Sequence, residues 1–247
     1  MNKIIYGIHS VQKILEIDYL RFQEVYILKD NQNKRLLSLT HQFNCLGIVT
    51  HKVNRKWMDR KTENAVHQGI VALVKSDKAY KDSDLLIMLS HIKVPFILIL
   101  DCITDPYNLG ACLRSADAAG VDMVIVPKDK SANLNSIAKK VACGAAENTP
   151  LIRVTNLAQT LRKLQKNHIQ IIGTVTESDC TPLYNKKLTG AIALVMGTEN
   201  KGMRRLTRKN CDDLVRIPML GKVNSLNVSV ATGICLFEIV RQRFIHV

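Results

Sequence analysis

The sequence predicts an α/β protein in two parts, a small N-terminal α/β domain and a larger domain built on a parallel sheet. Apolar runs alternate with helical stretches along most of the chain, the pattern of strands joined by crossover helices. The run PFILIL (95–100) is continuously apolar, so a strand there needs cover on both faces. The 247 residues are 47% hydrophobic and 23% charged, enough for a sizeable core and far from the composition of a disordered chain.

Taken in order, a short helix follows Ser10, with Val11, Ile14 and Leu15 on its apolar stripe. A strand (Glu24–Leu28), a helix (Lys34–Phe43), a strand (Gly47–Val53), a basic helical piece (Asn54–Lys61) and a strand (Gln68–Val74) come next. These define an N-terminal domain over residues 1–74. Lys75–Ser83 (KSDKAYKDS) is polar and aperiodic, and residues 75–83 are assigned as a linker. The second domain, residues 84–247, opens with a helical run (Asp84–Ile92) before the apolar strand that ends at Asp101. Asp105 caps a helix with Pro106 at its first position, and Gly120 stops it. Further strands are Met123–Val126, Gln170–Gly173, Ala191–Met196 and Leu214–Ile217, and a helix closes the chain at about Asn227–Arg243. That helix is apolar nearly all round, which places it in the core or in a dimer interface.

Charge and cysteine usage narrow the class. Lys and Arg number 35 against 21 Asp and Glu, a formal net charge of +14 spread over both halves of the chain. Such a charge favours a polyanionic partner over mere solubility. The seven cysteines (45, 102, 112, 143, 180, 211 and 235) form no C-x-x-C pair, which argues against a zinc ribbon, a thioredoxin-type motif or a disulfide framework. They read mostly as small buried apolar residues. The histidines show no H-E-x-x-H or H-x-E pattern, so no metal is expected. No apolar stretch approaches the roughly 20 residues that span a bilayer. The first residues lack a leader's apolar core and cleavage site. The expected setting is cytoplasmic, without a membrane.

Three motifs fall at predicted strand ends, where open parallel sheets bind ligands. In D-P-Y-N-L-G-A-C-L-R (105–114), Gly110 and Arg114 share a helical face and Asn108 lies in the first turn. Gly110 is read as open space beside the Arg114 guanidinium for a ligand or another chain to approach the backbone, and an Asn and an Arg next to a helix N-terminus suit a phosphate or sugar. In V-M-G-T-E-N-K-G-M (195–203), Gly197 and Gly202 have P-loop spacing, but Met203 and Arg204 replace the Lys-Ser/Thr of nucleotide hydrolases. No two glycines stand in G-x-G spacing, which removes the usual dinucleotide fingerprint. Glu199 either holds a cation such as Arg114 or is a solvated loop charge. In I-P-M-L-G-K-V-N-S-L-N-V-S (217–229), Ser225 or Asn227 is the candidate N-cap of the last helix.

The stretches DPYNLGACLRSADAAGV, AKKVACGAAE, MGTENKGMRRLTR and SLNVSVATGICLFE, in that order, resemble the signature motifs of the SpoU (TrmH) family of SPOUT RNA ribose methyltransferases. GIHSV (7–11) and VHQGIVA (66–72) resemble that family's small substrate-binding domain. The resemblance implies a C-terminal α/β trefoil-knot domain and an N-terminal domain of L30e/L7Ae type. True knots are otherwise nearly absent from proteins. It implies S-adenosyl-L-methionine as cofactor, bound around Thr174, Met196, Gly197, Gly202, Ile217, Met219 and Leu226. It assigns catalysis to Arg114, Asn108, Glu199, Ser225 and Asn227. The implied reaction is 2'-O-ribose methylation of a guanosine in 23S ribosomal RNA, in the P-loop region of the peptidyl-transferase centre, by a homodimer. Lys128, Lys130, Arg204, Arg205 and Arg208 become candidate phosphate contacts.

Overall fold

The computed structural model describes the chain except for residues 1, 30, 32, 76–79, 200 and 246–247, and except for the side chains of residues 17, 136, 147 and 245. Residues 76–79 of the assigned linker and residue 200 of the second motif therefore lie outside the described residues. The chain divides into two compact units, Met1–Lys78 and Ala79–Val247.

The first unit runs β1 (Asn2–Tyr6), α1 (Ile8–Ile17), β2 (Phe22–Leu28), α2 (Lys34–Cys45), β3 (Val49–Val53), α3 (Arg55–Lys61) and β4 (Ile70–Lys75). Its sheet has the order β1-β4-β2-β3, with β2 and β3 parallel and β4 antiparallel to both β1 and β2. Val25, Ile27, Ile70 and Ala72 point from the sheet into a core completed by Val11 of α1 and by Leu36, Leu39 and Phe43 of α2. Asn33 and Asn54 accept from Arg35 N (2.9 Å) and Trp57 N (2.9 Å), which starts α2 and α3. Strand β1 has no counterpart among the predicted elements. Only Ile5 of its five residues is buried, so it carries almost no alternation to read.

The second unit runs β5 (Tyr80–Lys81), α4 (Leu85–Leu89), β6 (Phe96–Leu100), α5 (Pro106–Ala118), β7 (Met123–Pro127), α6 (Ser136–Ala142), α7 (Ala145–Asn148), β8 (Leu151–Val154), α8 (Leu157–Lys166), β9 (Gln170–Val175), β10 (Thr181–Pro182), β11 (Ile192–Met196), α9 (Arg205–Lys209), β12 (Asp213–Arg216) and α10 (Val228–Ile245). The sheet order is β10-β12-β9-β11-β6-β7-β8-β5, and every pairing is parallel. Along β6, Phe96, Leu98 and Leu100 enter one core with α5 and α10, and Ile97 and Ile99 enter the other with α4 and α8. Each such side chain contributes about 1.5–3 kcal/mol on burial, against about 1–2 kcal/mol of backbone entropy per residue. A central strand with one bare face would barely hold, and two apolar faces account for the continuous run. Asp105 caps α5 as expected, accepting from Tyr107 N at 3.0 Å.

Several readings change. The helical run Asp84–Ile92 is only α4, and Tyr80 and Lys81 of the polar stretch Lys75–Ser83 pair with Ile152 and Arg153 at the sheet edge. Helix α10 is buried on one face only. Cys235, Leu236 and Ile239 pack in the core, whereas Val230, Phe237 and Phe244 are half exposed or more. Of the seven cysteines, all unbridged, only Cys112 and Cys235 are buried; Cys45 and Cys143 are exposed. Burial pushes the thiols of Cys112 and Cys235 up to about 11 and about 12, so both serve as small apolar groups. Among the described residues no helix is long and apolar enough to cross a membrane.

Candidate active site

The carboxyl ends of β9, β11 and β12 and the segments that follow them enclose a cavity of about 270 Å³, close to the lower bound of about 300 Å³ for ligand pockets. Thr174, Met196, Gly197, Gly202, Ile217, Met219 and Leu226, all seven residues assigned to the cofactor, line it, together with Glu199 and Ser225.

The loop after β11 is folded back on itself. Thr198 N donates to Gly202 O at 3.1 Å, and Gly202 N donates to Thr198 O at 2.9 Å. A Cβ on Gly197 would lie 2.3 Å from both Gly202 C and Met203 N, so glycine is required there for the close approach. Gly202 has φ +61°, the left-handed conformation that closes the turn. Asp101, at the end of β6, anchors the loop. Its fully buried carboxylate accepts from Arg204 N (2.9 Å) and from Arg204 Nε (2.7 Å). The sequence signal for this anchor is a lone acid ending the apolar run PFILIL. Arg204 is thereby committed within the protein. Thr174 Oγ1 donates to Val195 O at 3.0 Å, tying β9 to β11 beside the cavity.

Glu199 joins the three motifs. Its Oε1 accepts from Asn227 Nδ2 (2.7 Å) and from Val228 N (3.0 Å), the first amide of α10. A carboxylate is favoured there by the unsatisfied N–H groups and by the helix dipole. Asn227 Nδ2 also donates to Asn108 Oδ1 at 3.0 Å. Its own Oδ1 accepts from Ser229 N at 3.0 Å, so Asn227, not Ser225, is the N-cap. The suggested Glu199–Arg114 pair is replaced by this arrangement.

Arg114 stands apart from the cavity lining. It is exposed, and its Nη1 donates to Cys143 Sγ at 3.6 Å. Cys143 has φ +51° and Gly144 φ +94°, a left-handed turn between α6 and α7 that holds the thiol beside the guanidinium. The reading of Gly110 as ligand space is overturned. A Cβ there would meet Ala138 O at 2.5 Å and Val141 Cβ at 2.8 Å, so α6 occupies that groove. The small residue serves helix packing, which in turn sets the Arg114–Cys143 contact.

At the outer wall, Arg208 pairs with Glu177, and both line the cavity. Hydrogen bonds from its own backbone amide and from Arg208 hold the Glu177 carboxyl below the ordinary glutamate range. Of the candidate phosphate contacts, Arg204 and Arg208 are thus engaged within the protein, and Lys128, Lys130 and Arg205 are exposed. Among the described residues no group of three or more His, Cys, Asp or Glu could hold a metal ion.

Residues 95–237 match the SpoU rRNA Methylase family, and residues 4–80 match the family of RNA 2'-O ribose methyltransferase substrate-binding domains. The chain is 60% identical over 243 residues to a protein of Photorhabdus laumondii named 23S rRNA (guanosine-2'-O-)-methyltransferase RlmB, covering 98% of this chain and 99% of that one. It is 61% identical, over 98% of this chain and the whole of the other, to the Escherichia coli protein of the same name. Among solved structures, it resembles the SpoU methyltransferase AviRb of Streptomyces viridochromogenes in complex with AdoMet, with a TM-score of 0.67 and 22% identity, covering 98% of this chain and 91% of that one. It also resembles a structure described as an RNA 2'-O ribose methyltransferase, with a TM-score of 0.62 and 22% identity, covering 98% of this chain and 89% of that one. At that identity the likeness speaks for the shared fold.

Proposed function

The chain belongs to the SpoU rRNA methylase family, and on that premise we propose that it methylates the 2'-hydroxyl of a guanosine in 23S ribosomal RNA, using S-adenosyl-L-methionine. The target belongs to the P-loop region of the peptidyl-transferase centre, and the reaction runs in the cytoplasm. The observation that carries the reading is the cavity at the strand ends, with the Asn108–Asn227–Glu199 cluster at its edge.

The residues present suit the cofactor. Met196, Met203, Ile217, Met219, Leu226 and Ala231 offer apolar walls, and Thr174, Glu177 and Ser225 offer polar groups among them. When bound, S-adenosyl-L-methionine supplies an electrophilic sulfonium methyl group. Glycine at 197 keeps a side chain out of the narrowest part of the loop. Arg114 brings a guanidinium, a planar fork of donors that suits phosphate oxygens. Its role is to hold the target phosphate and to stabilise negative charge developing on the ribose oxygen, rather than to accept the proton. Asn108 and Asn227, linked through one hydrogen bond, orient the ribose. Glu199 holds that pair against the N-terminus of α10, and Ser225 supplies a hydroxyl at the cavity. Orientation of this kind contributes about 7–11 kcal/mol in favourable cases.

The domain roles follow the same reading: the first unit holds the RNA, and the second, whose sheet edge takes in Tyr80 and Lys81, carries the transfer. The return of residues 217–227 from the β12 side of the sheet to the loop after β11 supports a trefoil knot. The exposed apolar face of α10, with Val230, Phe237 and Phe244, supports a homodimer.

The test is methyl transfer from labelled S-adenosyl-L-methionine to large-subunit RNA from a strain lacking the gene. The expected product is an alkali-resistant linkage at one guanosine, lost with Arg114→Ala while cofactor affinity is retained. Transfer to transfer RNA instead would overturn the substrate. Absence of both transfer and cofactor binding would leave an RNA-binding factor. Equal loss of turnover and cofactor affinity in the variant would remove the role given to Arg114.

A further inference from the structure

The sheet of the first unit carries a group of rings that the cavity chemistry does not use. Tyr6, Val71, Tyr26 and His51 are register partners across β1, β4, β2 and β3. Their side chains therefore leave the sheet on one face, opposite the core formed with α1 and α2. On this outer face the Tyr26 ring lies 5.2 Å from the His51 ring, at an interplanar angle of 25°. It lies 4.3 Å from the ring of Trp57, which α3 contributes. His51 is exposed, Tyr6 is 38% exposed, and Ile4 and Val49 extend the apolar surface beside them at 39% and 54%. Between Tyr6 and His51, Val71 is buried and Tyr26 half-buried, so water reaches the face at Tyr6 and Ile4 on one side and at His51 and Val49 on the other. Exposed rings and aliphatic groups of this kind mark a binding surface.

Charge says what binds there. Helix α3 reads RKWMDRK, and its four cations are exposed. Its one acid, Asp59, faces His67 Nε2 at 3.0 Å, while His67 Nδ1 accepts from Gly69 N at 3.0 Å. The cations are thus left to the solvent, and Lys61 Nζ sits 5.8 Å from the centre of the Trp57 ring. The acid of the ring face, Glu24, accepts the Tyr26 hydroxyl and lies 3.7 Å from His51 Nε2.

We infer that the outer sheet face and α3 form a stacking platform for unpaired bases of single-stranded RNA. Rings interleaved with cations suit a polyanion whose π-faces are free, and a duplex hides those faces. Tyr6, His51 and Trp57 supply the stacking surfaces, and Arg55, Lys56, Arg60 and Lys61 take the phosphates. This deepens the reading of the chain as an RNA methyltransferase and rests on it for the choice of RNA.

Trp57 is the only tryptophan of the chain, so its emission reports the platform directly. The full-length protein is titrated with an unstructured RNA 12-mer, and RNA is expected to quench Trp57. Replacing two exposed rings in Tyr6→Ala/His51→Ala is expected to weaken RNA binding at least tenfold. The same variant should raise KM for 23S RNA and leave kcat at saturating RNA and cofactor affinity unchanged. His51→Phe, which keeps a ring, should bind RNA like the parent, which a merely structural role would not require. Methyl transfer that proceeds without quenching, or an unchanged KM in the double variant, would overturn the platform and leave the enzyme reading intact. Quenching without methyl transfer to any RNA would do the reverse. A double variant that loses self-association with RNA affinity unchanged would assign the face to a second copy of the chain and overturn the proposal.

Discussion

Glu199 is exposed in a loop, yet it ties three distant segments of the chain. Through Asn227 it reaches Asn108, 119 residues away from Asn227, and through Val228 N it closes the N-terminus of α10. The capping by Asn227 was legible as one of two local candidates, because a cap needs only the next two residues. The Asn227–Asn108 contact was not, because it depends on where two helices start in space. Asn227→Ala removes cap and link together. We predict a stability loss of about 1 kcal/mol in denaturant unfolding and at least a tenfold fall in methyl transfer. Asn227→Asp keeps the cap but sets a second carboxylate against Glu199 where the amide stood at 2.7 Å. Its stability should stay nearer the parent's while transfer falls as far, and equal stability losses in both variants would show that only the cap matters. Asp101 teaches the converse. One buried acid at the end of an apolar run was visible, and its partner Arg204, 103 residues later, was not.

At the scale of elements, glycines decide which segments touch. Gly197 lets the loop after β11 close on Gly202 and Met203, whereas a Cβ on Gly221 would meet nothing within 4 Å. Gly197→Ala should abolish cofactor binding in calorimetry, and Gly221→Ala should leave it unchanged; the same result for both would show that loop closure does not shape the cavity. Gly110→Ala forces α5 and α6 apart, since its Cβ would overlap Ala138 O and Val141 Cβ. Overpacking of this kind costs about 1–3 kcal/mol, measurable in denaturant, and it should lower turnover further by shifting Cys143 from Arg114. The helix α5 itself was readable from Asp105, Pro106 and Gly120, because start and stop signals are local. Helices α6 and α8 begin with caps of the same type, Asn135 and Asn156, that were open to the same reading. Strand β1 lacked any such signal, being one buried residue among exposed ones.

At the scale of the whole molecule, α10 is both core and surface. Glu238 accepts from Arg241 and Gln242 on that helix, and its carboxyl is held below the ordinary value of 4.5, first by the Arg241 hydrogen bond and then, against the cost of burial, by Gln242. A depressed folded pKa stabilises the protein above the unfolded value, and that contribution disappears as pH falls through the folded one. The thermal midpoint should therefore drop below about pH 4.5, and Glu238→Gln should flatten the drop; an unaltered profile would remove Glu238 from it. Phe237 is half exposed on the opposite side. If that side joins two copies, Phe237→Asp should halve the mass seen in sedimentation and leave the monomer folded, and a parent already monomeric would remove the proposed dimer. The sequence by itself determined the alternation of strands and helices, the continuous burial of β6, the cap of α5 and the seven assigned residues that line the cavity, because each is written in spacing, in local backbone chemistry or in motifs shared with a family. Only the tertiary structure decided that Glu199 binds the start of α10 instead of Arg114, that α6 fills the space at Gly110, and that one face of α10 stays bare. Those outcomes depend on the approach of elements far apart in the chain, and no local pattern encodes that distance.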